Sequence, residues 1–248
     1  MLVFLLSGVV FSQSPTPTPT VREEVVVTAN RNETRLEETP ASIVALSAEE
    51  IKTSASPVLD DVVRQTVGFS LFRRSNSRNA NPTTQGASFR GVGSSGASRS
   101  LVLFDDVPLN DGFGGWILWN RVPSIAVERI EVLRGGASGL YGNQALSGII
   151  NVIPRKSADK LIFSGEIFGG SQKTASGSGF LGFKAKDWNF DTVGSIFQTR
   201  GYVAVEPAAR GIVDSCSGSK NSNLSLRISR NIPVLGSVFL KPTYFGEV

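Results

Sequence analysis

One run of residues in this chain has the spacing of a nucleotide-binding motif. From Gly91 to Gly96 the sequence reads G-x-G-x-x-G, a pattern whose backbone amides can hold a dinucleotide phosphate. The pattern requires a buried strand before it and a helix after it. Residues 85–90 are a poor buried strand, and residues 97–104 run into a strand instead of a helix. A soluble dinucleotide-binding enzyme is therefore an alternative that we do not favour.

The acidic residues offer little more for catalysis or metal binding. Asp105, Asp106 and Asp111 could suggest a Ca²⁺ loop, but they lack the EF-hand order and its closing glutamate. We expect the adjacent pair to form a solvated turn. The chain has no histidine, and Cys216 is its only cysteine. The usual general base and the commonest metal ligand are thus missing, so we expect no enzyme activity, no metal site and no cofactor.

The composition indicates a folded, strand-rich protein. Of its 248 residues, 40% are hydrophobic and 19% are charged, and 26 glycines and 15 phenylalanines accompany a single methionine. This mixture favours short strands and turns over long helices. The net charge is only +4 and is scattered, apart from Arg73, Arg74 and Arg78. We therefore expect no binding to nucleic acid.

The N-terminus has the features of an exported protein. Residues 1–12 are apolar, too short to span a bilayer as a helix, and end in a plausible signal-peptidase site before Gln13. A buried strand is the alternative, because no basic residue precedes the apolar run. Residues 15–20 alternate proline and threonine and predict an extended spacer. The linker, residues 13–35, then contains a β-prone segment that could either join another protein's sheet or begin the next domain.

Residues 36–156 predict a small α+β domain. Ser47 stands where it would cap a helix, with Glu50 at the capping-box position. A second short helix is predicted over residues 59–65, with Asp60 and Asp61 in its first turn. The predicted strands are residues 39–46, 67–72, 83–91, 100–104, 125–133 and 148–153.

Residues 157–248 have a different pattern. The strand-length runs are residues 161–171, 177–185, 188–201, 221–230 and 237–245. Several alternate apolar and polar residues, which is typical of antiparallel transmembrane β-barrel strands, with a soluble β-sandwich as the alternative. Tight turns are predicted near residues 187–189 and 231–233, and a longer loop over residues 201–220. Because five strands cannot close a transporter barrel of roughly 22 strands, we expect an incomplete barrel and a fragment or truncated reading frame.

Several blocks of sequence resemble the TonB-dependent outer-membrane receptors. Residues 101–108, 128–135 and 140–153 are similar to the plug domain of that family. One departure is Asp106, where the family usually has glycine, although aspartate tolerates a left-handed backbone better than most residues. The segment that resembles the TonB box, and is therefore expected to bind TonB, consists of Glu24, Val25, Val26, Val27, Thr28 and Ala29.

The resemblance implies a plug seated inside a barrel in the outer membrane of a Gram-negative-type bacterium. It also implies that Arg90 and Arg134 pair with barrel glutamates and hold the plug in place, which suits the bidentate bonding of guanidinium with carboxylate. Salt bridges within the plug are the alternative for these two arginines.

The resemblance further implies TonB-energised uptake of an external small-molecule ligand. A ferric siderophore is the first expectation, and cobalamin or a glycan are alternatives. Cations suit an anionic chelate, and aromatic rings stack on flat ligands, although loop solvation and plug–barrel packing are the favoured alternative. The candidate ligand-binding residues are Arg73, Arg74, Arg78, Phe113, Trp116 and Trp119. A regulatory receptor is less favoured, because the stretch between Gln13 and Glu23 is too short for an added signalling domain.

Overall fold

The computed structural model describes most of the chain from residue 34 onward. The described residues are 25–26, 34–39, 41–54, 58–72, 75–79, 85–93, 96–157, 161–203, 205–233 and 236–248. The predicted signal peptide, residues 1–12, lies outside them, as do Arg73 and Arg74. No helix within these ranges is long and apolar enough to cross a membrane.

The N-terminal part combines short strands with three short helices. Its strands are β1 (Val25–Val26), β2 (Thr34–Arg35), β3 (Ile43–Ser47), β4 (Phe69–Leu71), β5 (Ala87–Phe89), β6 (Ser100–Phe104), β7 (Val107–Pro108), β8 (Val127–Arg134) and β9 (Gly148–Pro154). Its helices are α1 (Ala48–Thr53), α2 (Leu59–Arg64) and α3 (Ser138–Tyr141). The five-stranded sheet has the order β3-β8-β9-β6-β7, in which only β6 and β9 run parallel. This mixed sheet with helices is the predicted α+β architecture.

Both faces of this sheet are covered by apolar side chains. Val102 and Ile150 belong to the larger core, together with residues of α1 and α2. Leu101 and Ile149, one position away on the same strands, belong to a smaller core on the opposite face. The continuous apolar runs of β6 and β9 are thus explained by burial on both sides.

The predicted capping box is confirmed, whereas several of the predicted strands are longer than the observed ones. Ser47 Oγ accepts a hydrogen bond from Glu50 N, and Glu50 Oε2 accepts one from Ser47 N at 2.7 Å, which completes the capping box. The strand predicted from residue 83 is only Ala87–Phe89, and it pairs with β4 apart from the main sheet. The strand predicted from residue 125 begins at Val127, because a 3-10 turn at Ser124–Ala126 follows Pro123.

The C-terminal part is an antiparallel sheet of long strands. They are β10 (Ile162–Gly170), β11 (Thr174–Ala185), β12 (Trp188–Thr199), β13 (Ser219–Ile232), β14 (Gly236–Leu240) and β15 (Thr243–Glu247). Strands β14 and β15 both pair with β13 in one continuous register, since Leu240 faces Ile228 and Thr243 faces Ser225. They are two halves of one strand, so the five predicted strand positions are all present.

The two faces of this sheet differ in polarity. Large apolar side chains such as Phe163, Ile167 and Ile196 point away from the plug and are 75%, 95% and 66% exposed. Asp191 and Arg227 point toward the plug and are buried. Apolar-out and polar-in alternation is therefore present. Within the described residues the sheet is open, because β10 and the β14–β15 strand each pair on one side only.

Candidate functional site at the plug–strand interface

The plug contacts the inner face of the strand sheet along one row of residues, which we call the docking row. It consists of Gly182, Asp191, Arg227 and Lys241. Gly182 pairs with Asp191, and Asp191 pairs with Arg227, across β11, β12 and β13. Lys241 follows Leu240, so the register of β14 and β15 places it opposite Arg227. The four residues therefore lie side by side across neighbouring strands.

Asp105 of the plug is held by two cations of the docking row. Its Oδ2 lies 3.1 Å from Arg227 Nε and 3.2 Å from Lys241 Nζ, and its Oδ1 lies 3.8 Å from Lys156 Nζ. The residue is 5% exposed. The prediction of a solvated turn is thus wrong for Asp105, because distant strands cover it, whereas Asp106 is exposed.

The surroundings of Asp105 keep its carboxylate ionised. Burial alone would raise the pKa of Asp105, but Lys241, Arg227 and Lys156 together outweigh burial and lower that pKa below its ordinary value. Aromatic rings cover two of the partners: Lys241 Nζ lies 3.9 Å from the Phe104 ring centre, and the Arg227 guanidinium lies 4.4 Å from that of Phe239. The ion pairs are thus shielded from water on these sides.

Asp191 holds the chain that leaves the plug. Its Oδ1 accepts hydrogen bonds from Ser157 N at 2.8 Å and from Ser157 Oγ at 2.7 Å. A Cβ at Gly182 would lie 2.7 Å from the Cβ of Ser157, so a glycine is needed for this close approach. The docking row therefore fixes both the β6–β7 turn, through Asp105, and the segment after β9, through Ser157.

A second contact is centred on Asn120 of the plug. Its carbonyl accepts a hydrogen bond from Asn223 Nδ2 at 2.8 Å, and its Nδ2 donates to Glu247 Oε1 at 2.7 Å. The same Nδ2 donates to the Ser77 carbonyl at 2.8 Å, and Ser77 in turn donates to Asp60 from its N and its Oγ. These bonds connect helix α2 to strands β13 and β15.

Arg78 is the candidate ligand-binding arginine within the described ranges. Its guanidinium lies 4.3 Å from the ring centre of Phe197 on the inner face of β12. Burial lowers its pKa, while Asp60 and Asp61 oppose that shift. Arg78 lines a cavity of about 970 Å³ between the plug and the strands. The structure thus places Arg78 at the plug–strand interface.

The three candidate aromatic residues lie in different environments. Phe113 is 98% exposed at the tip of a loop whose amides at Phe113 and Gly114 donate to Asp111 Oδ1. Trp116 is half-buried beside Gly114. Trp119 is 2% exposed and meets Phe69 edge-on in the plug core. Trp119 therefore packs inside the plug, and of these three aromatic residues only Phe113 is freely exposed.

The two arginines predicted to latch the plug lie close together. A guanidinium nitrogen of Arg90 is 4.0 Å from the position that a Cβ of Gly135 would occupy. Since Gly135 follows Arg134 directly, the Arg90 head group lies near the backbone at Arg134. Neither arginine forms an ion pair with a described residue, and the buried Nε of Arg134 has no hydrogen-bond partner there. Arg90 and Arg134 thus form no salt bridge with a described residue of the plug, and their pairing with barrel glutamates stays a prediction.

The structure argues against nucleotide binding at the glycine motif. Gly91 and Gly93 lie in a turn after β5, a three-residue strand of a two-stranded antiparallel sheet. Strand β6 begins at Ser100, and the described residues between the motif and this strand form bends instead of a helix. Groups of His, Cys, Asp or Glu that could hold a metal ion are also absent from the described residues.

Sequence reasoning missed Asp105, Asn120 and the docking row. A usable signal existed for Arg227, since residues 224–229 alternate apolar and polar residues and the polar positions face inward. The signal did not indicate which polar residues would meet the plug.

Comparisons with known proteins agree with this arrangement. Residues 35–149 match the family model of the TonB-dependent receptor plug domain. The chain is 36% identical over 135 residues to the vitamin B12 transporter BtuB of Vibrio vulnificus, covering 54% of this chain and 21% of the relative. It is 32% identical over 177 residues to the iron-regulated outer membrane virulence protein of Vibrio cholerae, covering 67% and 24%. It is 34% identical over 167 residues to the ferrienterobactin receptor of Escherichia coli, covering 61% and 21%.

Solved structures show the same fold. The ferripyoverdine receptor of the outer membrane of Pseudomonas aeruginosa superposes with a TM-score of 0.68 at 16% identity, covering 90% of this chain and 27% of the receptor. The siderophore receptor PirA of Acinetobacter baumannii gives 0.62 at 22% identity, covering 83% and 32%. The chain thus spans about a quarter or less of the curated relatives described above. The chain thus contains a plug domain of the TonB-dependent receptor family at residues 35–149, and five antiparallel strands of the barrel type follow it.

Proposed function

We propose that this chain serves as the plug and the adjoining barrel strands of a receptor that takes up a scarce external ligand, with a ferric siderophore as the first candidate. We call these strands, β10 to β15, the wall. The observation that carries the proposal is the docking of the plug, through Asp105 and Ser157, on the polar face of a sheet whose other face is apolar. This arrangement suits transport instead of catalysis. The predicted division into signal peptide (1–12), linker (13–35), plug (36–156) and barrel strands (157–248) is part of the same proposal.

The outer face of the strand sheet supports a location in lipid. Large exposed apolar patches mark membrane or partner contacts, because such surface is unfavourable in water. Ile167 on β10 and Leu224 on β13 are 95% and 55% exposed on this face. Trp188 and Arg230 lie where β12 and β13 approach the turns, and amphipathic side chains of this kind favour a membrane interface.

We propose that residues 24–29 recruit TonB by adding a strand. Val25–Val26 pairs antiparallel with Thr34–Arg35 in a two-stranded sheet that is separate from the main plug sheet. A pair of such short strands is only marginally stable in water. The segment can therefore exchange this partner for the sheet edge of another protein at small cost.

Substituting Val26 tests the TonB interaction. Val26→Pro removes a backbone donor, so we expect uptake to be lost while ligand binding is retained. The control Val26→Thr keeps the donor and the β-branched shape and is expected to keep uptake. Thr34→Pro disrupts the β1–β2 pair from its other strand and should leave uptake intact. Normal uptake by the Val26→Pro receptor would exclude this segment as the TonB box.

The choice of ligand is open to a direct test. Relatives or solved structures named as receptors of ferrienterobactin, ferripyoverdine or siderophores support an iron chelate as the first candidate, and the vitamin B12 transporter supports cobalamin as the second. We expect cells that depend on this receptor to accumulate iron from a ferric siderophore. Accumulation of cobalamin or a glycan instead would establish one of the alternatives. The proposed contacts are Arg73, Arg74, Arg78, Phe113, Trp116 and Trp119, with the exposed Phe113 better placed than the buried Trp119. Loss of binding on their replacement with alanine would support them.

We also propose that Arg90 and Arg134 pair with glutamates of the barrel wall. Their proximity and the unpartnered Nε of Arg134 support an external acceptor. Replacing either arginine with glutamate should loosen the plug, and an arginine at the partner position should restore it. Failure of every wall glutamate to restore it would return the two residues to a role within the plug.

A further inference from the structure

We propose that Asp105 is the anchor of a charge latch that holds the plug on the docking row. Its polarity is the reverse of that expected for Arg90 and Arg134, because the carboxylate belongs to the plug and the cations Arg227 and Lys241 belong to the wall. The inference requires the plug to sit on the strand sheet, and it does not depend on which ligand is transported.

The β6–β7 turn aims the Asp105 carboxylate at the wall. Asp105 and Asp106 both have left-handed backbones, with φ of 54° and 64°. Phe104 pairs directly with Val107, so the turn has only these two residues, and two left-handed positions give the tight form favoured in hairpins. Asp105 N also donates to the Val152 carbonyl. The side chain that meets Arg227 and Lys241 therefore projects from a fixed turn.

The latch acts on the centre of the plug sheet. Strands β6 and β9 are parallel neighbours, so their carboxyl ends lie at the same edge. Asp105 follows β6, and Lys156 and Ser157 follow β9. All three reach the same place: Lys156 contacts Asp105, and Ser157 donates to Asp191 of the docking row. Withdrawal of the plug from the wall must therefore break contacts at both strand ends.

The charges around the latch are unequal in number. Asp105 faces three cations, two from the wall and one from the plug. The second carboxylate, Asp191 opposite Arg227, accepts its hydrogen bonds from Ser157. Arg227 and Lys241 lie directly opposite each other on neighbouring strands, where like charges destabilise pairing. Asp105 therefore both docks the plug and compensates the repulsion between its two wall partners. Removing it leaves the cations facing each other, whereas removing one cation leaves two others on the carboxylate.

The first experiment compares Asp105→Asn with Asp106→Asn in the receptor that contains this chain, without ligand or TonB. Asparagine keeps the size and tolerates the left-handed backbone, so each change removes only the charge. We expect hydrogen exchange of the amides at residues 105–107 and 109 to become at least about tenfold faster in Asp105→Asn. Asp106→Asn, at the exposed neighbouring position, should change the exchange rate of the same amides by less than about twofold. Equal exchange in the two variants would overturn the latch.

The second experiment uses the surplus of cations. Lys241→Met should speed exchange in the native receptor, because a wall partner is lost. In the Asp105→Asn receptor the same change should slow exchange, because it removes the repulsion with Arg227. This reversal of sign is specific to the charges and is not expected of a packing role. A Lys241→Met effect of the same sign and size in both backgrounds would overturn the proposal.

A third comparison applies even if the Asp105→Asn receptor fails to assemble. Lys156 contacts the same carboxylate but belongs to the plug, so it cannot tie the plug to the wall. Lys241→Met should therefore accelerate exchange more than Lys156→Met does. The reverse order would overturn the latch. Because exchange is measured without transport, this outcome is distinguishable from failure of the proposed uptake function.

Discussion

The two sheets of this protein obey opposite rules of burial. In the plug sheet, Ile149 and Ile150 are adjacent on β9 and both are fully buried, because apolar layers cover both faces. In the strand sheet, Ile196 is exposed on one face while its neighbour Phe197 is buried on the other with polar residues. The difference shows that the plug is stabilised as a soluble domain is, whereas the strands are built for an apolar medium outside and a polar one inside.

Buried charges also differ between the two regions. Glu131 lies inside the plug with no exposed surface, and Arg129 of the same strand donates to it at 2.9 Å. The Asp105 carboxylate accepts hydrogen bonds from Arg227 and Lys241, which follow it in the sequence by 122 and 136 positions. Local pairing therefore serves the plug, whereas pairing over long sequence distances joins the plug to the wall.

The largest expected effect is a charge in the plug core. Ile150→Asp places a carboxylate where no polar group can compensate it, so we expect a loss of about 4 kcal/mol or more in the free energy of unfolding of the plug. Urea titration with hydrogen exchange of the plug amides measures this. Ile196→Asp is the matched control, since the same change on the outer face should leave the plug intact. Equal damage to the plug by both variants would contradict the contrast.

A charge on the outer face of the wall should cost less and depend on depth. We expect Ile196→Arg to cost about 2–4 kcal/mol in a bilayer if it lies near the midplane. Gln198→Arg, on the same face but one residue from the end of β12, should cost about 0–1 kcal/mol. Folding titrations of the receptor in lipid vesicles would show the difference. A neutral Ile196→Arg variant would mean that this face does not meet lipid.

Two glycines at close contacts, Gly148 in the plug core and Gly182 in the docking row, allow packing inside the plug to be compared with docking on the wall. A Cβ at Gly148 would lie 2.5 Å from the Leu133 carbonyl oxygen and 2.7 Å from Phe89 in the plug core. We expect Gly148→Ala to cost about 1–3 kcal/mol in plug stability. Gly182→Ala should cost less, because its neighbour Ser157 lies after the end of β9, whereas Leu133 and Phe89 belong to strands of the plug. Gly177→Ala, where the nearest atom is 3.7 Å away, is the control. Thermal unfolding of the three variants gives the order, and a greater loss for Gly182→Ala would contradict it.

Local features of both regions could be predicted from the sequence, and contacts between them could not. The capping box at Ser47 and Glu50 and the five wall strands depend on short-range patterns, and they are observed. The burial of Asp105 depends on Arg227 and Lys241, whose positions are fixed only by the register of β13 with its neighbours. Trp119 is buried for a similar reason, since Phe69 and its neighbours enclose it. An Asp-Asp turn and a loop tryptophan look the same in sequence whether or not a second layer covers them.

The smallest expected effect concerns two buried aspartates, Asp60 and Asp105, whose pKa values are shifted in opposite directions. Burial raises the pKa of Asp60, whose hydrogen bonds come from the neutral Ser77, with Asp61 adding repulsion and Arg78 nearby. The cations Lys156, Arg227 and Lys241 lower the pKa of Asp105 despite its burial.

Linkage turns these directions into opposite pH dependences of stability. The stabilising contribution of Asp60 is complete below its unfolded-state pKa, near 3.8, and is lost as pH rises through the raised folded-state pKa. The contribution of Asp105 is present above that unfolded value and is lost as pH falls through the lowered folded-state pKa. As pH falls toward 3.8, the native receptor should therefore gain stability relative to Asp60→Asn. As pH falls further, below 3.8, it should lose stability relative to Asp105→Asn. Unfolding free energies measured across this range would give slopes of opposite sign, and slopes of one sign would show that the wall cations do not control Asp105.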